Sequence, residues 1–381
     1  MRLLTTATLI AALGANCWPA KAEITKAPAL KSKSTVTTTT FAKGLVHPWG
    51  MAFLPDGRLL VTERPGRMRL IAKDGQLSPP LGNVPAVYAS GQGGLLDVAL
   101  APNFAASRMI YFSYSEPRGQ GSNGTTVARA KLAPGEGAAQ LQDVQVIFRQ
   151  EPATSGGLHF GSRLAFARDG NLFVTLGERF QRDKAQDLSN HYGKVIRIRP
   201  DGSAPPDNPF AGKAGARPEV WSYGHRNVQS AAIHPVSGKL WTVEHGARGG
   251  DEINIPQAGK NYGWPVITYG RDYSFLKIGE GTAKAGLEQP VYYWDPSIAP
   301  SGMAFYTGDL IPEWKGNLFV GALAGQALHR LVFYGEQIVS EERLLGDLGA
   351  RIRDVRSGPD GALWLLTDSP EGGVLRLAPP S

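Results

Sequence analysis

The sequence predicts an all-β chain, a six-bladed β-propeller built from four-stranded antiparallel blades. Two observations carry that expectation. The 381 residues include 47 Gly and 28 Pro spread along the whole chain, which reads as many short strands joined by turns. In addition, one phrase recurs six times: an alternating apolar strand, a Pro-Asp-Gly or Pro-Asn-type turn, and a second apolar strand. The copies occupy residues 50–62, 96–113, 163–175, 231–243, 302–321 and 355–367. Asp-Gly and Asn-containing turns between alternating strands are hairpin signals, because these residues tolerate the positive φ of tight turns. Intervals of roughly 45 to 70 residues suit a propeller whose loops vary in length. A β-sandwich would not repeat one phrase six times, and a disordered chain would lack these recurrent apolar clusters.

The domain organisation follows. Residues 1–22 read as a signal peptide: Arg2 precedes an apolar run from Leu3 to Leu13, and Ala20-Lys21-Ala22 has the small-x-small pattern of a cleavage site. That run is too short to span a bilayer, so no stable membrane insertion is expected. Residues 23–40 read as an N-terminal extension and 41–381 as the propeller. The expected compartment is the periplasm or the exterior, after cleavage near Ala22. Cys17, the only cysteine, lies inside the leader. It raises lipid anchoring as an alternative, although Asn16 suits that poorly, and it leaves the mature chain without disulfides. Cleavage removes Arg2 and Lys21 and lowers the formal charge from +7 to +5. No basic run in the mature chain exceeds two adjacent residues, which argues against nucleic acid as a partner.

Propeller geometry locates the chemistry, because inter-blade segments at one mouth converge on the axis. Four segments carry polar residues that the repeat does not need, each immediately upstream of a hairpin: Gly91–Leu96 with Gln92, His159–Arg163, Trp221–Gln229 with Arg226 and Asn227, and Arg351–Asp354 with Arg353. They are expected to meet at one mouth, while residues inside the phrases are expected to be core. One imidazole, His159, is suited to take a proton near neutral pH. Three guanidinium groups suit an acidic ligand, and Gln92 and Asn227 supply directional hydrogen bonds. Singly, each has a structural reading as loop histidine, surface ion-pair partner or turn-closing amide; their co-location favours a site. No nucleophile elbow accompanies them. No Gly-x-Gly-x-x-Gly follows a strand and opens a helix, so a redox enzyme here needs a cofactor other than a Rossmann-bound nucleotide. A fifth segment, Glu244–Asn254, joins carboxylates to Gly-rich backbone, a composition suited to calcium. Equally, Asp251 and Glu252 could cap or pair with Arg248.

With these segments in view, the chain resembles the soluble quinoprotein glucose dehydrogenases and, more closely, the soluble aldose sugar dehydrogenases. The resemblance runs from about His47 to Leu377. Its most specific stretches are Trp221–Asn227, Gly249–Pro256, Gly259–Pro265 and Arg351–Val355. It implies a propeller that binds pyrroloquinoline quinone (PQQ) and calcium and oxidises aldoses at the anomeric hydroxyl to lactones. His159, in the pattern His-x-x-x-Arg-Leu, matches the general base. Gln92, Arg226, Asn227, Arg351 and Arg353 match cofactor contacts, Tyr273 faces the cofactor, and Arg226 stabilises charge on the reduced quinone. Gly246 and Ala247 match the carbonyls that hold calcium at the quinone; Glu252 and Tyr262 resemble ligands of a further calcium. The three carboxylates of PQQ suit a mouth rich in arginine, and calcium supplies a Lewis acid. An external electron acceptor (a cytochrome, quinone or dye) is implied as a partner.

Three departures from the family pattern stand out. Ala324 replaces a usual Lys that contacts the cofactor, which should weaken binding, with Arg351 and Arg353 as candidate compensation. Ala247 replaces a usual Pro, a change that a carbonyl ligand survives. Leu158 stands where glucose-specific members have Asp, which points to a broader aldose range. Two other functions fit the fold: a calcium-dependent propeller hydrolase acting on lactones, and a non-catalytic carbohydrate-binding propeller.

Overall fold

The computed structural model describes residues 26–380; the leader, Cys17 and the cleavage position near Ala22 lie outside them. Twenty-three strands and one α-helical turn, Phe104–Ser107, are arranged in six antiparallel sheets. Strand β1 (Thr37–Leu45) is reserved for the last blade. Blade 1 is β2 (Pro48–Phe53), β3 (Leu59–Glu63) and β4 (Arg67–Ile71), with its outer position taken by a bridge between Ile71 and Leu77. Blade 2 is β5 (Leu95–Leu100), β6 (Met109–Pro117), β7 (Asn123–Ala133) and β8 (Gln140–Arg149). Blade 3 comprises β9 (Leu164–Phe166), β10 (Leu172–Thr175), β11 (Lys194–Ile198) and β12 (Val220–Tyr223). Blade 4 comprises β13 (Val228–Ile233), β14 (Leu240–Glu244), β15 (Asp251–Asn254) and β16 (Tyr292–Trp294). Blade 5 is β17 (Pro300–Phe305), β18 (Leu318–Ala322), β19 (Ala327–Tyr334) and β20 (Gln337–Leu344). Blade 6 is β21 (Ile352–Ser357), β22 (Leu363–Thr367) and β23 (Gly372–Ala378), completed by β1 at its outer edge. The ring is thus closed by pairing the first strand with the last, Thr37 opposite Ala378 through Leu45 opposite Gly372.

Each phrase of the repeat is the innermost hairpin of one blade. The three Pro-Asp-Gly or Arg-Asp-Gly turns share one geometry. In each, the aspartate accepts a hydrogen bond from the amide two residues on: Asp56 from Arg58 (3.1 Å), Asp169 from Asn171 (3.0 Å), Asp360 from Ala362 (3.2 Å). The following glycines, Gly57, Gly170 and Gly361, adopt φ of 86°, 83° and 80°, where a side chain would be strained. Six apolar clusters lie between successive blades, one per interface. Examples are Leu60, Met68, Val98 and Phe112 between blades 1 and 2, and Val61, Ile71, Trp364 and Val374 between blades 6 and 1. The stretch before β1 crosses blades 4 and 5, where Ala27 N donates to Tyr292 Oη (2.9 Å) and Ser32 bonds to Glu342. No helix among the described residues is long and apolar enough to cross a membrane.

The axis departs from a purely apolar core. Arg163 Nη1 lies 3.0 Å from Asp97 Oδ1 and 3.0 Å from Asp354 Oδ1, and Arg356 reaches both aspartates at 3.2 and 3.0 Å. Asp97 also accepts from Leu164 N, Asp354 from Met51 N, and Arg163 Nε donates to the Gln229 carbonyl. Residues of five blades therefore meet in one neutral, hydrogen-bonded cluster. Removing one partner leaves an uncompensated buried charge, which costs about 3–5 kcal/mol. Arg163→Met is expected to lower the stability in chemical denaturation by that amount, whereas Arg58→Met, an exposed partner of Asp56, should change it by less than about 1 kcal/mol.

Candidate functional site at one mouth of the channel

Four carboxylates stand at this mouth near the ends of second strands: Glu63 and Glu244 are the last residues of β3 and β14, Asp368 directly follows β22, and Glu178 lies three residues past β10. Three of these each hold the Nδ1 of an imidazole. His159 lies 2.8 Å from Glu178, His225 2.9 Å from Glu244, and His47 2.9 Å from Asp368. A carboxylate on Nδ1 fixes the tautomer, so the proton sits there and the Nε2 lone pair is left free. The free nitrogen has a different fate in each. His225 Nε2 meets Ser222 Oγ at 2.9 Å and its ring stacks on Tyr262, which makes it structural. His159 Nε2 has no protein partner among the described residues.

His159 is held from several directions. Its backbone has φ +54°, its amide donates to Gln92 Oε1 (2.8 Å), and its carbonyl passes so close to Gly177 that a Cβ there would lie 2.0 Å away. Only glycine permits that approach. Burial pushes its pKa below the ordinary imidazole value, with Glu178 opposing the shift and the Arg226 and Arg179 charges adding to it. His159 is therefore a neutral base near pH 7.

Two cavities flank it. One, of about 470 Å³, is lined by Gln92, Arg351, Arg353, Asp368, His245 and Arg64 among others. Its three arginines face a single carboxylate, which lies 2.8 Å from Arg353 and 3.5 Å from Arg351. His245 donates from Nε2 to the Pro300 carbonyl, and burial holds its pKa down to about 3, so it adds no charge. The second cavity, of about 350 Å³, is lined by Glu178, Phe180, Arg226, Ala247, Trp264 and Tyr273 among others. Gln92 from the first and Glu178 from the second both bond His159, which sits between them.

All four sequence-predicted segments thus reach one mouth. Asn227 Oδ1 accepts from Gly161 N (3.1 Å), and Arg353 Nη1 donates to Gln229 Oε1 (3.3 Å). Arg351 and Arg353 line one cavity and Arg226 the other, rather than all three converging on one point. Tyr273 stands on the rim, 59% exposed. Ala324 is exposed beside the cavity-lining Leu323, and Leu158 is exposed next to His159. Sequence reasoning passed over Glu178, Asp368, Arg64, His245 and Trp264. At Asp368, as at Glu63 and Glu244, an acidic residue follows Thr or Thr-Val at a strand end, which was an available signal; Glu178 follows Thr175-Leu176-Gly177 and carries no such mark.

Three buried donors at this mouth have no acceptor among the described residues: Arg226 Nε, Asn227 Nδ2 and Arg353 Nε. Orphaned buried donors are costly, and a polyanionic ligand such as PQQ would satisfy them. For a cation, Gly246 and Ala247 offer carbonyls on a loop braced by Asp251, which accepts from Gly246 N (2.9 Å), Ile298 N and Ala299 N. Arg226 Nη1 donates to the same Gly246 carbonyl, so guanidinium and cation would compete there. Glu252 shares Asn254 Nδ2 with Glu244 (3.2 and 3.1 Å). Burial first, then the Glu244 charge, pushes its carboxyl well above the usual range. Two carboxylates with one neutral donor between them are short of a positive charge. Tyr262 is near them, its ring on His225 and its hydroxyl donating to the Ile255 carbonyl. No group of three or more His, Cys, Asp or Glu is placed to hold a metal among the described residues, so carbonyls must supply part of any cation site.

Glu178→Gln removes the negative charge that helps raise the His159 pKa and leaves only a weaker neutral acceptor on Nδ1, with burial and the two arginines unchanged. The imidazole titration, followed by NMR of its ring protons, is expected to move to lower pH than in the parent; a shift to higher pH would contradict the assignment.

Comparison with known proteins identifies the family of the chain. The profile of the glucose/sorbosone dehydrogenase family matches residues 45–376. Aldose sugar dehydrogenase YliI of Escherichia coli K12 is 50% identical over 349 residues, covering 91% of this chain and 94% of that protein. The crystal structure of the soluble aldose sugar dehydrogenase from E. coli, in its apo form, superposes with a TM-score of 0.88 at 49% identity, covering 91% of this chain and all of that one. The PQQ-bound aldose sugar dehydrogenase of Streptomyces coelicolor gives a TM-score of 0.76 at 32% identity, covering 92% and 99%.

Proposed function

Because the chain belongs to the glucose/sorbosone dehydrogenase family, we propose that it oxidises aldose sugars at the anomeric hydroxyl to lactones, with PQQ and calcium as cofactors, in the periplasm or outside the cell. The single observation that carries this reading is the buried His159: its Nδ1 is tied to Glu178, its Nε2 is free, and unpartnered cationic and amide donors surround it. The names of the similar proteins supply the substrate class and the quinone.

His159 Nε2 removes the proton of the anomeric hydroxyl. Glu178 holds the Nδ1 proton, keeps the ring in the productive tautomer and offsets the charge the ring acquires. When bound, PQQ supplies the two-electron oxidant that accepts the hydride from the anomeric carbon. Gln92, Asn227, Arg351 and Arg353 would hold its polar groups, and Tyr273 would face it from the rim. Arg226 brings a guanidinium to the place where negative charge develops. Gly246 and Ala247 would hold one calcium through their carbonyls, and Glu252 with the Tyr262 carbonyl a second. Ala324 leaves three arginines, Arg64, Arg351 and Arg353, as the cationic lining of the larger cavity. Electrons leave to an external cytochrome, quinone or dye. A lactone hydrolase is disfavoured because the axial carboxylates, Asp97 and Asp354, are consumed by Arg163 and Arg356.

With PQQ and calcium added, the purified chain should reduce an artificial dye with several aldoses; inactivity across a broad sugar panel would overturn the reading. His159→Ala should keep PQQ binding and lose about 10²–10⁴-fold in kcat. Glu252→Gln should reduce, without abolishing, the rise in Tm that calcium gives the parent, because the second site loses its carboxylate while the Gly246 and Ala247 carbonyls remain.

A further inference from the structure

We propose that Phe180 is a stacking platform for the sugar ring and, with Tyr273 across the cleft, sets the enzyme's preference for cyclic aldoses; the inference rests on the sugar-oxidising function above. Phe180 is 63% exposed, yet it is not loose. Its ring centroid lies 5.5 Å from that of His159, and it lines the 350 Å³ cavity together with Tyr273 and Trp264. One edge of the ring is thus against the imidazole while most of its surface faces the open cavity.

The backbone beneath it is strained. Arg179 and Phe180 adopt φ of +55° and +61° in succession, a region that disfavours residues with a Cβ. Such strain persists only where the surroundings over-determine it, and here Arg179 does so. Its buried guanidinium donates to the Leu158, Asn123 and Gly156 carbonyls and to Asn123 Oδ1 (2.7 Å), and it lies 4.0 Å from the Phe160 ring centroid. The consequence of this lock is to hold the Phe180 side chain out beside His159. Two residues on, Arg182 pairs with Asp272 at 3.3 Å and ties the Phe180 turn to the loop that carries Tyr273. Aromatic rings recognise the C–H face of a pyranose while the hydroxyls at its edge remain free to hydrogen-bond. A ring laid on Phe180 is within reach of the His159 imidazole, and an acyclic polyol presents no such flat face.

The test compares Phe180→Ala, Phe180→Gly and Phe180→Tyr with the parent, each loaded with PQQ and calcium. Ala and Gly are expected to raise KM for pyranose aldoses at least tenfold with kcat within threefold, and Tyr to restore KM. Because glycine relieves the left-handed backbone, Phe180→Gly should keep or raise Tm. A KM change below tenfold, or a Tm of Phe180→Gly that drops as its KM rises, overturns the platform. Should the parent oxidise no aldose, the proposed function fails, and saturation-transfer NMR with an aldose reads the platform directly. Transfer in the parent that is lost in Phe180→Gly supports it; transfer equal in both, or absent from both, overturns it.

Discussion

The arrangement depends on the neutral cluster at the axis, where Arg163 and Arg356 share the carboxylates of Asp97 and Asp354. Blade interfaces are apolar and non-directional, so they fill space without dictating which residues face the axis. Ion pairs are directional, and a buried one is costly if a member is misplaced. Strands β5 and β21 contribute the aspartates, Arg163 stands directly before β9, and backbone groups from β2 and β13 complete the set. Arg163 is also four residues from His159, so the cluster that closes the ring also anchors the base of the segment presenting the imidazole.

Around that axis, pseudo-symmetry supplies the raw material of the site. Equivalent strand ends deliver a carboxylate, and neighbouring segments deliver an imidazole to it, three times over. Divergence lies in what the far side of each ring meets. Ser222 and Tyr262 occupy His225, while His47 shares Asp368 with the arginines of the larger cavity. His159 is bonded to a lining residue of each cavity, Gln92 and Glu178. In the proposed function it is one copy of a structural pair put to catalytic use.

Much of this was legible in the sequence. The Pro-Asp-Gly turns announce their geometry, since an aspartate caps the next amide and a glycine takes the positive φ, and all six phrases are innermost hairpins. The meeting of Gln92, His159, Asn227 and Arg353 followed from their equivalent places upstream of those hairpins. What escaped had the opposite character. Asp97 and Arg356 lie within strand phrases, where alternation suggests apolar core; Arg163 and Asp354 close two of the polar segments, and only the closed ring shows that all four meet in one ion cluster. Glu178, three residues past β10, carries no mark in the sequence that pairs it with His159. The division of the arginines between two cavities depends on loop paths that no periodicity encodes. Ring closure by β1 likewise required its partner β23, Gly372–Ala378 at the other end of the chain, to be seen beside it.

The central claim is that this mouth joins a quinone and a sugar at His159. The absorbance spectrum of the purified chain with PQQ and calcium, taken before and after an aldose is added, tests it most directly. The bound-quinone spectrum is expected to convert to that of the reduced cofactor when an aldose is added and to stay unchanged in His159→Ala. A quinone spectrum that no aldose alters in the parent protein would contradict it.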